Sequence, residues 1–268
     1  MKFKDRNIAD RKYVIACSGG KDSIATILLA LEHGEPLDEV VWVEVMFNKE
    51  LSGEVPEHRE FIYSKLKPFC EENGIQFTIL HSDKTYDDVF HHLFTRGKNV
   101  GQKHGFTRPR RCVVNRECKS KAINAYKRQQ GANVVCYVGI AADESKRLKR
   151  LEGTSNVSLL AKYGIKEDDA LRLCKERDLL SPVYEISSRN GCWFCPYAKD
   201  KELIHFLQHH EEMFDKLIEW EKEDNLSYRR MNFTEKPSEV KARLMTRIKL
   251  NDFQRFMKIT KEQGDLLN

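Results

Sequence analysis

An apolar run, Tyr13-Val14-Ile15-Ala16-Cys17, passes directly into the polar, glycine-bearing Ser18-Gly19-Gly20-Lys21-Asp22-Ser23. A helical period starts at once, with Ile24, Ile27, Leu28 and Leu31 on one face and Gly34 as its stop. Glu39 to Phe47 is β-branched and apolar, and reads as a second strand. Pro56 opens a helical stretch through Phe61, Ile62, Leu66 and Phe69 that closes at Asn73-Gly74, and Ile75 to Leu80 reads as a third strand. Tyr86 to Leu93 and Cys118 to Gln130 are helical in pattern, the latter closed by Gly131, and Val134 to Ile140 is a fourth strand. This alternation predicts an α/β fold, a parallel sheet with helices on both faces. Beyond residue 150 the period is helical, over Lys166 to Arg177, Lys201 to Glu223 and Val240 to Met257. The pattern thus predicts an α/β domain over 1–150 and a mostly helical C-terminal region, with a cysteine knuckle, over 151–268.

In a parallel sheet, ligands bind beyond the carboxyl ends of the strands. The Ser18–Ser23 turn, Asn48 and the Gly139–Ser145 segment are expected to converge there. The turn has the chemistry of an anion cradle. Gly19 and Gly20 let the backbone approach closely, and a following helix start offers N–H groups and the positive end of its dipole. Ser18 and Ser23 add hydroxyls, Lys21 a point charge, and Asp22 a carboxylate able to hold Mg²⁺ between phosphates. Lys21, Asp22 and Ser23 are the catalytic candidates. The Walker A spacing is absent, since that motif needs four residues between its glycines.

Composition narrows the class. Of 268 residues 40% are hydrophobic and 32% charged. No apolar run reaches the roughly 18 residues of a membrane span, and the N-terminus lacks a signal-peptide core. A cytoplasmic setting without membrane association is the expectation. The net charge of +5 is unevenly spread. Residues 96–128 hold eleven lysines and arginines against one acid, Glu117. Such a one-sided run points to an anionic partner, either nucleic acid or a phosphorylated or sulfated acceptor; a solvated surface is the plain alternative. Arg108, Arg110, Arg111, Arg116 and Lys119 are its candidate contacts.

Eight cysteines in a reducing compartment call for a reason other than disulfides. Cys17, Cys70 and Cys136 lie in apolar patterns and read as packed thiols. Cys112, Cys118, Cys174, Cys192 and Cys195 lie in or near polar, turn-rich segments. Gly191-Cys192-Trp193-Phe194-Cys195-Pro196 is a C-x-x-C knuckle, half of a metal site if further thiolates join it. His205 and His209, four apart on a helical pattern, have the spacing to grip a metal, but an ordinary helix position is the plainer reading.

Ser-Gly-Gly-Lys-Asp-Ser resembles the PP-loop of the adenine nucleotide α-hydrolase-like superfamily. From Tyr13 to about Glu212 the chain looks like the phosphoadenylyl-sulfate (PAPS) reductase-like family, in a bacterial and phage subgroup with a Gly-Cys-Trp-Phe-Cys-Pro knuckle. The resemblance implies a Rossmann-like three-layer domain binding ATP, or PAPS or adenylyl sulfate (APS). It assigns Ser18, Gly19, Gly20, Lys21, Asp22, Ser23, Phe47, Asn48 and Gly139 to the nucleotide, with Arg147 or Arg150 as the substitute where the family's arginine is absent. Cys112 and Cys192 are 80 residues apart, similar to the cluster cysteines of adenylyl-sulfate reductases. It thereby implies Cys112, Cys174, Cys192 and Cys195 as ligands of a [4Fe–4S] cluster or Zn²⁺, with Cys118 in reserve. Two departures stand out. Ala141 replaces the arginine of the family's Gly-x-Arg-x-x-Glu-Ser motif, and no cysteine follows Cys195 to act as the reductases' nucleophile. The leading expectation is ATP-dependent adenylation of an acceptor, with pyrophosphate release, coupled to sulfur transfer in which the cysteine-bound cluster carries or positions the sulfur; a sulfur-donor protein is a candidate partner. A PAPS or APS reductase and a non-catalytic nucleotide-binding subunit of a DNA-modification or defence complex are the alternatives.

Overall fold

The computed structural model describes residues 11–108, 112–131, 133–187 and 191–265, with side chains to residue 251. The strands are β1 (Lys12–Cys17), β2 (Glu39–Glu44), β3 (Gln76–His81), β4 (Val134–Tyr137) and a short β5 (Asn156–Val157). They form one sheet in the order β3-β2-β1-β4-β5, and every pairing is parallel. The expected α/β class and the four expected strands are therefore present. β5 adds a strand too short to announce itself in the hydrophobic pattern. β1 lies at the centre of this order and delivers the Ser18–Ser23 turn at its carboxyl end, where α1 (Lys21–Glu32) begins.

The remaining helices are α2 (Pro56–Phe61), α3 (Lys67–Glu72), α4 (Tyr86–His91), α5 (Lys121–Gln129), α6 (Ser145–Leu148), α7 (Leu159–Lys162), α8 (Glu167–Glu176), α9 (Asp200–His209), α10 (Glu211–Glu221) and α11 (Pro237–Asp265). A π-helical stretch, Ile62–Leu66, joins α2 to α3, and another, Asn115–Ser120, leads into α5. The helix expected over Lys201 to Glu223 is two helices. His210 breaks it with non-helical backbone, φ −141° and ψ 42°, and Glu211 and Glu212 then occupy the first turn of α10, where acidic side chains suit the dipole.

The chain forms two compact units, residues 1–88 with 114–192 and residues 89–113 with 193–268. They do not part at one boundary near 150, because the first unit retains α7, α8 and the stretch up to Cys192. Its core joins Ile15, Ile24, Ile27, Leu28, Val40 and Trp42 to Ile62, Leu66, Leu160, Ala170 and Cys174. α1 is buried along nearly its whole length, with Ser23 through Ala30 all inaccessible. Burying each such aliphatic side chain contributes about 2 kcal/mol, so the helix start is anchored by the hydrophobic core. In the second unit α11 packs on α9 and α10. Phe90 meets Phe106 and Trp220 at 5.0 and 4.4 Å between ring centroids.

Candidate phosphate site

The turn after β1 is stapled by its own side chains. Ser23 Oγ donates to the Gly20 carbonyl (2.9 Å) and accepts from the Ser18 amide (3.3 Å). The Gly20 amide donates to Ser18 Oγ (3.2 Å), and the Gly19 amide to Cys17 Sγ (3.2 Å). The Ser23 hydroxyl, expected to face phosphate, is thus buried and spends its hydrogen inside the turn. Burial is also the main cause raising the Cys17 thiol above its ordinary value, so it serves as a neutral acceptor.

Two of the site's glycines, Gly19 and Gly139, are dictated by neighbours. Gly19 has φ +70°, and a Cβ there would lie 2.3 Å from Ile62 Cδ1 and 2.7 Å from His58 Cε1. A Cβ on Gly139 would lie 2.7 Å from the Ser23 nitrogen and 2.8 Å from the Asp22 carbonyl carbon. The β4 exit therefore packs directly on the first turn of α1, as the sequence reading expected. Gly20 caps α1 in extended conformation with no side-chain cap. That leaves the helix start to be satisfied by something other than its own N-cap.

Lys21 and Asp22 stand together at this helix start. The Lys21 ammonium is 2.7 Å from Asp22 Oδ1 and 3.5 Å from Glu167 Oε2. Burial opposes its charge, but the hydrogen bond and charge of Asp22, aided by Glu167, prevail and raise its pKa. The lysine is a fixed cation, and Asp22 a partly exposed carboxylate.

Four residues that the motif reading missed frame the turn. His58 is fully buried; its Nε2 lies 3.1 Å from the Ser18 carbonyl and its Nδ1 2.9 Å from Ser181 Oγ. Burial lowers its pKa, so the ring is neutral: Nε2–H donates to the carbonyl and Nδ1 accepts from the serine. The Lys21 amide donates to the Tyr184 hydroxyl at 3.0 Å. Glu167 adds its carboxylate to the Lys21 ammonium. Only Pro56, as a helix start, signalled the segment bearing His58. Ser181 and Tyr184 fell within a stretch read for resemblance alone.

Other expected contacts are used elsewhere. Phe47 is buried, packing edge-on to Tyr86 at 5.9 Å. Asn48 Oδ1 accepts from the Glu50 and Leu51 amides, closing its own turn. Arg147 pairs with Glu144 (2.5 Å), whose other oxygen accepts the Ala141 amide. Among the basic candidates, Lys119 pairs with buried Glu54 (2.9 Å) and exposed Arg116 with Glu117 (2.8 Å). Arg108 donates to the Ser227 carbonyl and hydroxyl and lies over the Tyr228 ring. Arg110 and Arg111 lie outside the described residues.

The four cysteines implied as metal ligands are differently placed. Cys174 is buried in the core under α1 and its thiol donates to the Lys21 carbonyl at 3.2 Å. Burial first, then Asp22, push that thiol up to about 12, opposing the thiolate a metal requires. Cys174 packs beneath the turn. Cys118, the reserve, is also buried, whereas Cys112 is exposed and Cys192 and Cys195 are half-buried. Cys192 bridges antiparallel to Glu54, and the Val55 amide donates to the Gly191 carbonyl. The knuckle thus begins beside the segment that carries His58. Among the described residues no three Cys, His, Asp or Glu side chains are gathered as a metal site.

Fold and site together define an α/β protein with a glycine-bearing turn and a helix start at the carboxyl edge of a parallel sheet. No family model matches the chain, and no curated protein does. Among solved structures, the U34-tRNA thiolase NcsA from Methanococcus maripaludis, solved with its [4Fe-4S] cluster, is similar over 80% of this chain and 71% of its own. The identity is 19% and the TM-score 0.41. At that similarity the site has to be read from its own residues. No described helix is long and apolar enough to cross a membrane.

Proposed function

We propose that the protein is a PP-loop enzyme of the PAPS reductase-like kind. On this reading it binds ATP at the Ser18–Ser23 turn, adenylates an acceptor with release of pyrophosphate, and takes part in sulfur transfer. The observation that carries the reading is the start of α1 behind Gly19, where the N-cap residue Gly20 offers no side chain and Lys21 and Asp22 stand on the first turn. An anion arriving there meets backbone N–H groups, a helix dipole and a fixed ammonium. These groups favour charge gathering on departing pyrophosphate, and catalysis is charge stabilisation and positioning. Asp22 is the residue that would hold Mg²⁺ at this turn, and the ion would supply positive charge for the phosphates. The acceptor is a nucleic acid or another phosphorylated molecule, the kind of partner that the excess of lysine and arginine in the sequence over 96–128 calls for.

A metal, [4Fe–4S] or Zn²⁺, is proposed to draw on the knuckle thiols Cys192 and Cys195, which are two residues of one turn. When bound, an iron–sulfur cluster supplies sulfur-carrying or electron chemistry, and zinc supplies structure. Iron and zinc analysis of anaerobically purified protein distinguishes them, and Cys192→Ser with Cys195→Ser is expected to remove the metal.

The test of the function is incubation with α-labelled ATP, Mg²⁺ and candidate acceptors. AMP and pyrophosphate are expected; their absence with nucleic-acid and phosphorylated acceptors alike overturns the reading. Thiol-dependent release of sulfite from PAPS instead decides for a reductase.

A further inference from the structure

The segment after α8 reaches back to the phosphate turn through two side chains. Ser181 donates to His58, which holds the Ser18 carbonyl. Three residues on, in the 3-10 turn Pro182–Glu185, Tyr184 presents its hydroxyl to the first amide of α1. Because the Lys21 N–H is the donor, the phenol oxygen is the acceptor and its own hydrogen remains to be given. Among the described residues no acceptor takes that hydrogen. The amide it accepts is the first of α1, so the phenol sits at the helix start, where Asp22, Lys21 and Cys174 act on it. Burial first, opposed by the Lys21 amide bond, raises the Tyr184 pKa, which keeps the hydroxyl protonated and uncharged near neutral pH. A neutral O–H beside an ammonium and a helix N-terminus is a donor set for one anion.

We infer that Tyr184 is a phosphate-binding residue of this site, its hydroxyl donating to a non-bridging oxygen of the bound nucleotide's polyphosphate while its oxygen accepts the Lys21 amide. The inference rests on the proposed function, since it takes the ligand at this turn to be a polyphosphate. Tyr184 orders the first amide of α1 and extends the cradle by one donor that the hexapeptide motif lacks. A loop plug predicts the reverse, because phosphate would then have to displace the phenol.

The experiment compares wild type with Tyr184→Phe in calorimetric titrations with ATP, inorganic pyrophosphate and adenosine. A hydrogen bond to a charged group sets the expected loss at about tenfold in Kd for ATP and for pyrophosphate. Adenosine affinity is expected to stay within twofold, which a collapsed site would not allow. Tyr184→Met, which keeps bulk and removes the donor, carries the same expectation should the phenylalanine variant melt too early to titrate. Unchanged or tighter pyrophosphate binding in the variants overturns the assignment and leaves the proposed function standing. A wild-type protein that binds neither ATP nor pyrophosphate overturns both.

Discussion

The turn after β1 and the lysine- and arginine-rich stretch that follows α4 both looked like anion sites, yet the fold treats them differently. At the turn, Gly19, Gly20, Lys21 and Gly139 meet around one helix start, and residues from three other segments (His58, Glu167 and Tyr184) close on it. In the basic stretch, several of the described charges answer groups of the chain itself. Lys119 answers buried Glu54, Arg116 and Lys121 both grip Glu117, and Arg108 ties down Ser227. A strand–turn–helix motif encodes its geometry locally, because the glycines and the helix start are consecutive in the chain. A run of like charge encodes only a demand for countercharge, and the tertiary structure decides whether a ligand or a neighbouring carboxylate supplies it.

The contrast can be broken most sharply at Gly19. Gly19→Ala forces a Cβ into His58 and Ile62 and a left-handed backbone on an alanine, the latter alone costing about 2 kcal/mol. ATP binding by titration is expected to fall at least a hundredfold. A variant that binds like wild type would mean that the turn is not the cradle.

Next comes the Glu54–Lys119 pair. Glu54 is 1% exposed, and its Oε2 has no hydrogen-bond partner, so Lys119 is its counter-charge. Lys119→Ala leaves a buried carboxylate uncompensated and is expected to cost about 3 kcal/mol in urea unfolding. Nucleotide affinity should change little, placing Lys119 in the scaffold. A stable Lys119→Ala protein that has lost acceptor binding would return the residue to the ligand.

His58 sharpens the comparison through pH. Its folded pKa is lowered by burial, so below about pH 6.5 the unfolded chain takes up a proton that the folded chain refuses. Stability attributable to this residue is full above that value and declines as pH falls through it. Urea midpoints between pH 7.5 and 5.5 are expected to fall more steeply for wild type than for His58→Gln, a neutral side chain of similar reach. Parallel slopes would remove the neutral histidine from the account.

The smallest effect belongs to Arg116. Its side chain is 69% exposed, and its pair with Glu117 duplicates the one made by Lys121. Arg116→Ala is expected to shift stability by less than about 0.5 kcal/mol. A larger shift would mean that surface charge in this stretch is structurally coupled after all.

The amino-acid sequence by itself determined the α/β class, four of the five strands and the Ser18–Ser23 turn, because period-2 and period-3.6 burial and glycine punctuation act over a few consecutive residues. It also marked Gly139, whose lack of a side chain lets β4 lead onto α1. Tertiary structure alone decided that Ser23 staples the turn, that Cys174 packs beneath it, and that Asn48 and Arg147 serve their own loops. It alone brought His58, Ser181 and Tyr184 to the site from up to 163 residues away along the chain. Such roles depend on which groups are buried together, and burial is set by the packing of distant segments, which no local pattern carries.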